Sequence, residues 1–291
     1  MRHAIAIAGV SAVLVMASTA RSADSIGVVG RSRSVQPGEL VVLTLTAPAA
    51  VTEIRLRVFD RAITAYLVDR LTWRALVGID LDVAAGPYSA AIEGRAGTEK
   101  LQTTYRFVVR PKRFPTRTLK VDPAFVNPPA EMESRIVREA ADLEQIWSHS
   151  ASERLWTDPF VPPVRTAATS AFGSRSVFNG VARNPHAGAD FPSPSGTPIA
   201  APNAARVALA RDLYFSGNTV VLDHGLGLFS LLAHLSAIDV REGDRVSAGQ
   251  VIGKVGATGR VTGPHLHWAV RLDGARVDPV AILALLGQKP L

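Results

Sequence analysis

The chain has 291 residues, 47% of them hydrophobic and 20% charged, with a formal charge of +7 and no cysteine. That length holds about two domains with real cores, and the composition is that of a globular protein rather than a disordered or fibrous one. Without cysteine there can be no disulfide scaffold, thiolate zinc site, thiol nucleophile or lipidated N-terminal Cys, so any metal site must be built from His and carboxylate.

Residues 1–23 read as a secretory signal, with Arg2 ahead of a short apolar run from Ala4 to Ala17 and small residues that suit cleavage after Ala20 or Ala23. The run is too short to span a bilayer comfortably, and no later segment is long and apolar enough, so no membrane span is expected after cleavage. The expectation is an exported protein. Its basic character suits an anionic polymer, whereas nucleic acid is not an expected partner, because the arginines are scattered and no aromatic–basic platform is present.

Residues 24–110 carry short alternating runs: Glu39 to Thr46, Ile54 to Val58, Trp73 to Ile79, Tyr88 to Ile92 and Tyr105 to Val109. Turn signals at Pro37-Gly38, Gly86-Pro87 and Gly94 to Gly97 separate them. The pattern predicts an N-terminal β-sandwich, immunoglobulin-like, with no catalytic constellation. It reads as a spacer, lid or binding module.

Residues 111–165 are a proline-rich connector around one helix, 128–148. Asn127 is positioned to cap it and Pro128 suits its first turn. Met132, Ile136, Leu143 and Trp147 share a face that should pack on a neighbouring domain, and His149 falls just past the end.

Residues 166–291 change to closely spaced strands and glycine turns, giving an antiparallel β-domain with a single helix candidate at Pro279 to Leu286. Strands are expected at Asn218 to Leu222, Leu228 to Ala233, Val251 to Val255 and His265 to Arg271. The fold class is therefore mainly β, in two β-domains joined by a connector with one helix.

Five of the seven histidines lie in this last region: His186, His224, His234, His265 and His267. If 186–190 is extended, His186 and Asp190 share a face with the bare Gly188 between them, leaving room for a metal close to the backbone. His265 and His267, at i and i+2 of a strand, also share a face, roughly 6–7 Å apart along the chain. A hydrolytic zinc site commonly uses three protein ligands and leaves a fourth position open. His186, Asp190 and one member of the His265/His267 pair make such a set, and the other member with His234 is available for proton transfer and oxyanion stabilisation. No His-Glu-x-x-His helix supplies a carboxylate base, so histidine must do that work. His224, in Asp223-His224-Gly225, reads as structural.

His-x-Gly-x-Asp at 186–190, Ala-His-Leu-Ser at 233–236 and His-x-His at 265–267 resemble the LytM/lysostaphin-type zinc metallopeptidases over roughly residues 166–285. Phe172 to Arg175, Gly243 to Gln250 and Gly256 to Gly259 extend the likeness. The resemblance implies one zinc ion on His186, Asp190 and His267, with His234 and His265 as the catalytic pair. It implies an endopeptidase that cuts peptide bonds in peptidoglycan stems or cross-links, exported and most simply periplasmic. The alternative is a catalytically inactive, wall-bound activator or scaffold for another hydrolase, but such a protein is expected to lack a ligand, and none is missing. One departure is Leu232, where many members have Tyr two residues before the catalytic His, which implies an altered substrate groove. The N-terminal domain lies outside the likeness. Together with the connector, it is a candidate to sit over the groove.

Overall fold

A computed structural model describes residues 25–120, 128–157, 159–169, 172–182 and 184–287. The expected signal segment 1–23 and the capping candidate Asn127 lie outside the described residues.

Eight strands build the first unit: β1 (Gly27–Arg31), β2 (Leu40–Thr46), β3 (Glu53–Val58), β4 (Arg61–Thr64), β5 (Tyr66–Leu67), β6 (Thr72–Gly78), β7 (Gly86–Ala96) and β8 (Glu99–Val109). They form two antiparallel four-stranded sheets, ordered β1-β2-β6-β5 and β4-β3-β7-β8. Val41, Leu43 and Leu45 from one sheet meet Ile54, Leu56 and Ile92 from the other in a common core, which is the expected sandwich. The strands run further than the sequence runs suggested. Gly86-Pro87 and Gly94, read as turns, lie inside β7, and the chain reverses only at Gly97, where φ is +61°.

The connector is more structured than its prolines implied. Residues Thr116–Leu119 form β9, which pairs in parallel with β10 (Arg175–Phe178), and β10 continues to β11 (Val181–Ala182). A single 3-10 turn at Ala130–Met132 leads into α1 (Glu133–Ser148), which starts five residues later than the predicted helix, at Glu133 rather than 128, and ends at Ser148 as expected. Pro129 disfavours helical backbone at Pro128 and is itself extended (φ −56°, ψ 142°), so winding begins only at Ala130. Further along, Trp156, Phe160 and Val164 are buried in the main core.

The rest of the chain forms β12 (Gly188–Phe191), β13 (Pro198–Ala200), β14 (Ala205–Leu213), β15 (Gly217–Gly225), β16 (Leu228–Ile238), β17 (Arg245–Val246), β18 (Val251–Val255), β19 (Leu266–Leu272), β20 (Ala275–Val277) and α2 (Pro279–Leu286). Their nine-stranded antiparallel sheet follows the path β12-β19-β16-β15-β14-β17, with β13, β18 and β20 paired at its sides. One face carries Phe191, Leu222, Leu232, Trp268 and Val270 into the main core. The other face carries Val221, Phe229 and Leu231, and there the stripe of α1 lies down: Leu143, Ile146 and Trp147 pack on it, with the Trp147 and Phe229 rings edge to face at 5.2 Å. Of the expected face, Leu143 and Trp147 pack here together with Ile146, whereas Met132 lies in the turn before the helix.

The sandwich is joined to this sheet through α2. Leu40, Val42, Tyr66 and Leu76, on the outer face of the first sandwich sheet, share the main core with Ala275, Val277, Ala281, Ile282 and Leu285. Gly78 lets the strands meet, since a Cβ there would lie 2.9 Å from both Ala275 Cβ and Val277 Cγ2. Asp278 caps α2 by accepting from the Val280 N–H, and Arg33 bridges Asp278 to Glu39. Arg31 donates to the Leu285 carbonyl at the other end, where a cation also suits the helix dipole.

Asp80 of the sandwich and Arg276 of β20 form the other charged tie. Burial would raise the Asp80 carboxyl, but hydrogen bonds from the Arg276 side chain and from backbone N–H groups outweigh it and hold the pKa at about 2. A carboxyl depressed in the folded state adds stability above its unfolded pKa, and that stability is lost as pH falls through the folded value. Asp80→Asn should therefore lower the unfolding free energy by roughly 2 kcal/mol at pH 7. Denaturant titrations should show the difference from the unsubstituted protein closing between about pH 4 and pH 2.

Candidate active site

Asp190 of β12 stands directly opposite His267 of β19 in the antiparallel register, so both side chains project from the same face. His186 precedes β12 and is anchored by two backbone hydrogen bonds: its N–H donates to the Ser174 carbonyl, and its carbonyl accepts from the Gly173 N–H. Gly188 was expected to leave room for a metal, and the structure gives that room to a side chain instead. A Cβ there would come within 2.5 Å of His267 Cε1 and 2.6 Å of the Trp268 carbonyl, so the bare residue makes room for the His267 ring itself.

Three donor atoms converge. His186 Nε2 lies 3.0 Å from His267 Nδ1, His186 Nε2 is 3.2 Å from Asp190 Oδ1, and His267 Nδ1 is 3.0 Å from the same oxygen. Ligands on a tetrahedral zinc at about 2.0–2.1 Å are about 3.3–3.4 Å apart, close to the edges of this triangle. Among the described residues these three side chains form the one group placed to hold a metal ion, and they fit zinc in donor type, number and spacing. Burial alone would raise the Asp190 carboxyl, yet hydrogen bonds from His186 and His267 keep it well below the usual carboxylate range. Burial also lowers His267, helped by the neighbouring His186, against the pull of Asp190. An ionised carboxylate and neutral imidazoles are the forms that bind metal.

The other two histidines lie over this triangle. The His265 ring is 5.0 Å from that of His234, and His265 Nε2 is 3.7 Å from Asp190 Oδ1. The His234 ring is 5.9 Å from that of His267. Each has one nitrogen committed to a backbone carbonyl: His265 Nδ1 to Gly263 and His234 Nδ1 to Thr258, both at 2.9 Å. A carbonyl can only accept, so both Nδ1 atoms carry the proton, leaving Nε2 with its lone pair. Burial and the adjacent His267 push His234 down to about 4, against its bond to Thr258, so at neutral pH the ring is uncharged.

How His234 reaches this face is not visible in the sequence. Ala233 is the residue of β16 opposite His267, so in a regular strand the next residue would point to the core face. Between the pairs Val220–Leu232 and Asn218–Leu235, β16 advances three residues against two on β15, which is a β-bulge. His234 sits in it with φ at +68°, left-handed backbone that costs a non-glycine residue free energy. The bulge also corrects the expectation for Leu232. Two residues before His234 but on the opposite face, it is wholly buried beside Trp268 in the main core and does not line a groove.

The structure thus brings together all five residues singled out in the sequence. His224, left aside there, is fully buried elsewhere, with Nδ1 on the Ala204 carbonyl and Nε2 on Ser230 Oγ, a satisfied structural histidine.

An antiparallel sheet presenting a His–Asp–His triangle beneath two imidazoles is the design of a mononuclear metallohydrolase. Residues 184–279 match the model of peptidase family M23. The crystal structure of a peptidase assigned to M23 from Pseudomonas aeruginosa superposes with a TM-score of 0.68 at 35% identity, covering 88% of this chain and 96% of that one. The chain belongs to peptidase family M23. Among curated relatives, the DD-carboxypeptidase/endopeptidase Mpg of Neisseria meningitidis is 40% identical over 121 residues, 42% of this chain and 28% of Mpg. Peptidoglycan DD-endopeptidase ShyA of Vibrio cholerae is 45% identical over 94 residues, 32% of this chain and 22% of ShyA. The chain therefore spans about a quarter of the length of these relatives.

Gly188→Ala tests the geometry directly. The added methyl collides with backbone as well as with the His267 ring, so zinc affinity by competitive titration should fall at least tenfold, while far-ultraviolet circular dichroism stays that of a β-protein.

Proposed function

We propose that the chain is a zinc-dependent endopeptidase that hydrolyses peptide bonds in peptidoglycan stems or cross-links outside the cytoplasm. The observation that carries this reading is the convergence of His186 Nε2, Asp190 Oδ1 and His267 Nδ1 beneath the free Nε2 atoms of His234 and His265. The names of Mpg and ShyA support the substrate class, and the basic charge suits an anionic wall. The signal-like residues 1–23 support export, with the periplasm as the simplest destination.

In this reading His186, Asp190 and His267 hold one zinc ion, which when bound lowers the pKa of water toward neutrality and polarises a carbonyl. The remaining work falls to the two free imidazoles. His265 Nε2 takes the proton from the attacking water, with the Asp190 carboxylate near enough to balance the resulting charge. His265 then returns this proton to the leaving amine. His234 Nε2 faces the same space and, as a neutral ring, accepts a hydrogen bond from the attacking water and orients it. All five groups are in reach of one another, so nothing favours the inactive scaffold.

The N-terminal unit enters the proposal through the connector. Running on from the sandwich, Phe114 packs where a side chain on Gly173 would stand, and β9 pairs with β10 beside the His186 anchor. Control of access to the groove by this segment is part of the reading.

Purified protein should release soluble muropeptides from sacculi, and a strong chelator should stop it. His267→Ala should lose both zinc and hydrolysis. His265→Ala should keep most of its zinc by elemental analysis and lose hydrolysis by about a hundredfold or more. Undiminished digestion by His265→Ala would overturn the assignment.

A further inference from the structure

We propose that Thr258 is the positioning residue of His234, an inference that rests on reading His234 as a catalytic group. Thr258 makes three hydrogen bonds with two of its oxygens, reaching two neighbouring strands. Its carbonyl accepts from His234 Nδ1 at 2.9 Å. Its hydroxyl donates to the Leu235 carbonyl at 2.8 Å and accepts from the Asn218 N–H at 2.9 Å. One residue thereby ties β15 to the residue after the bulge through its hydroxyl, and holds the ring displayed by the bulge through its carbonyl.

The surrounding backbone is shaped to bring Thr258 this close. Gly217 has φ at +62°, and a Cβ on it would lie 2.3 Å from the Thr258 carbonyl carbon and Oγ1. A Cβ on Gly259 would lie 2.3 Å from the Gly217 nitrogen, and one on Gly256 would lie 2.3 Å from the Ser236 nitrogen. Three glycines therefore let residues 256–259 close on β15 and on the bulge of β16. The His234 N–H is held from the other side by the Ser216 carbonyl at 2.9 Å.

This arrangement solves a physical problem of the site. A histidine in left-handed backbone on a bulge has no regular strand neighbours to fix its side-chain torsions, so ring orientation and tautomer need an external reference. The Thr258 carbonyl supplies that reference, and the hydroxyl fixes where the carbonyl stands. Without the hydroxyl the Asn218 N–H loses its side-chain partner and the segment is free to relax away from the ring. Serine keeps both hydroxyl bonds. Valine, nearly the same shape, keeps neither.

The test compares Thr258→Ser with Thr258→Val in the zinc-loaded full chain, using a cross-linked muropeptide dimer as substrate. Thr258→Val should lower kcat by at least about tenfold with KM and zinc content unchanged, and Thr258→Ser should restore most of the loss. Side-chain nitrogen NMR should show His234 as one tautomer, protonated at Nδ1, in the unsubstituted protein and in Thr258→Ser, and as a mixture in Thr258→Val. Should Thr258→Val not fold, Thr258→Ala removes the same hydroxyl and gives the same comparison. A valine or alanine variant with unchanged kcat and a single Nδ1–H tautomer would overturn the inference, as would a serine variant as impaired as either. His234→Asn separates the two levels: if it leaves hydrolysis intact, the reading of His234 itself fails. If it abolishes hydrolysis while Thr258→Val is unaffected, only the role of Thr258 fails.

Discussion

Asp190 faces His267 because β12 and β19 pair in one register, and a slip of a single residue would turn one of them into the core. What prevents the slip is the opposite face. Ala189, Phe191, Leu266 and Trp268 are all at or near zero exposure there, so the apolar alternation that builds the main core also aims the polar residues outward at a common point. His186 is brought to that point by its backbone bonds to the Gly173-Ser174 segment, and Gly188 clears the space that the His267 ring fills. The convergence of these side chains is thus a by-product of hydrophobic packing one residue away.

The same sheet face is divided along its length. Toward one end it is covered by α1, whose Trp147 meets Phe229, and toward the other it is left open with the five functional side chains. The opposite face is closed by α2, which the sandwich grips at both ends through Arg33 and Arg31 while supplying Leu40, Val42 and Leu76 to the core around it. The sandwich and the catalytic sheet therefore share apolar contacts, not only a linker. Apolar burial of this kind resembles the interior of one domain more than the polar contact between tethered ones.

Much of this was legible in the residues. Alternation located the central strands, and the His-x-Gly-x-Asp and His-x-His spacings each grouped two of the site residues, of which Asp190 and His267 face each other in the sheet while His186 and His265 lie just outside the strands. The His234 placement was not legible, because spacing along a strand assumes a regular pleat, and the bulge at Ala233–His234 breaks it without a glycine or proline to announce it. For the same reason Leu232 looked like a groove residue and is a core residue. The connector was misjudged by its prolines: Trp156, Phe160 and Val164 are each apolar but too irregularly spaced to show a period, and their burial depends on partners far along the chain.

The left-handed backbone at His234 has a bearing on how such proteins diverge. Glycine adopts that conformation without steric cost, so exchange for it relieves strain while removing an imidazole. The fold itself offers little resistance to losing this group. Its loss is a step that runs downhill in conformational energy and leaves the His186, Asp190 and His267 cluster in place.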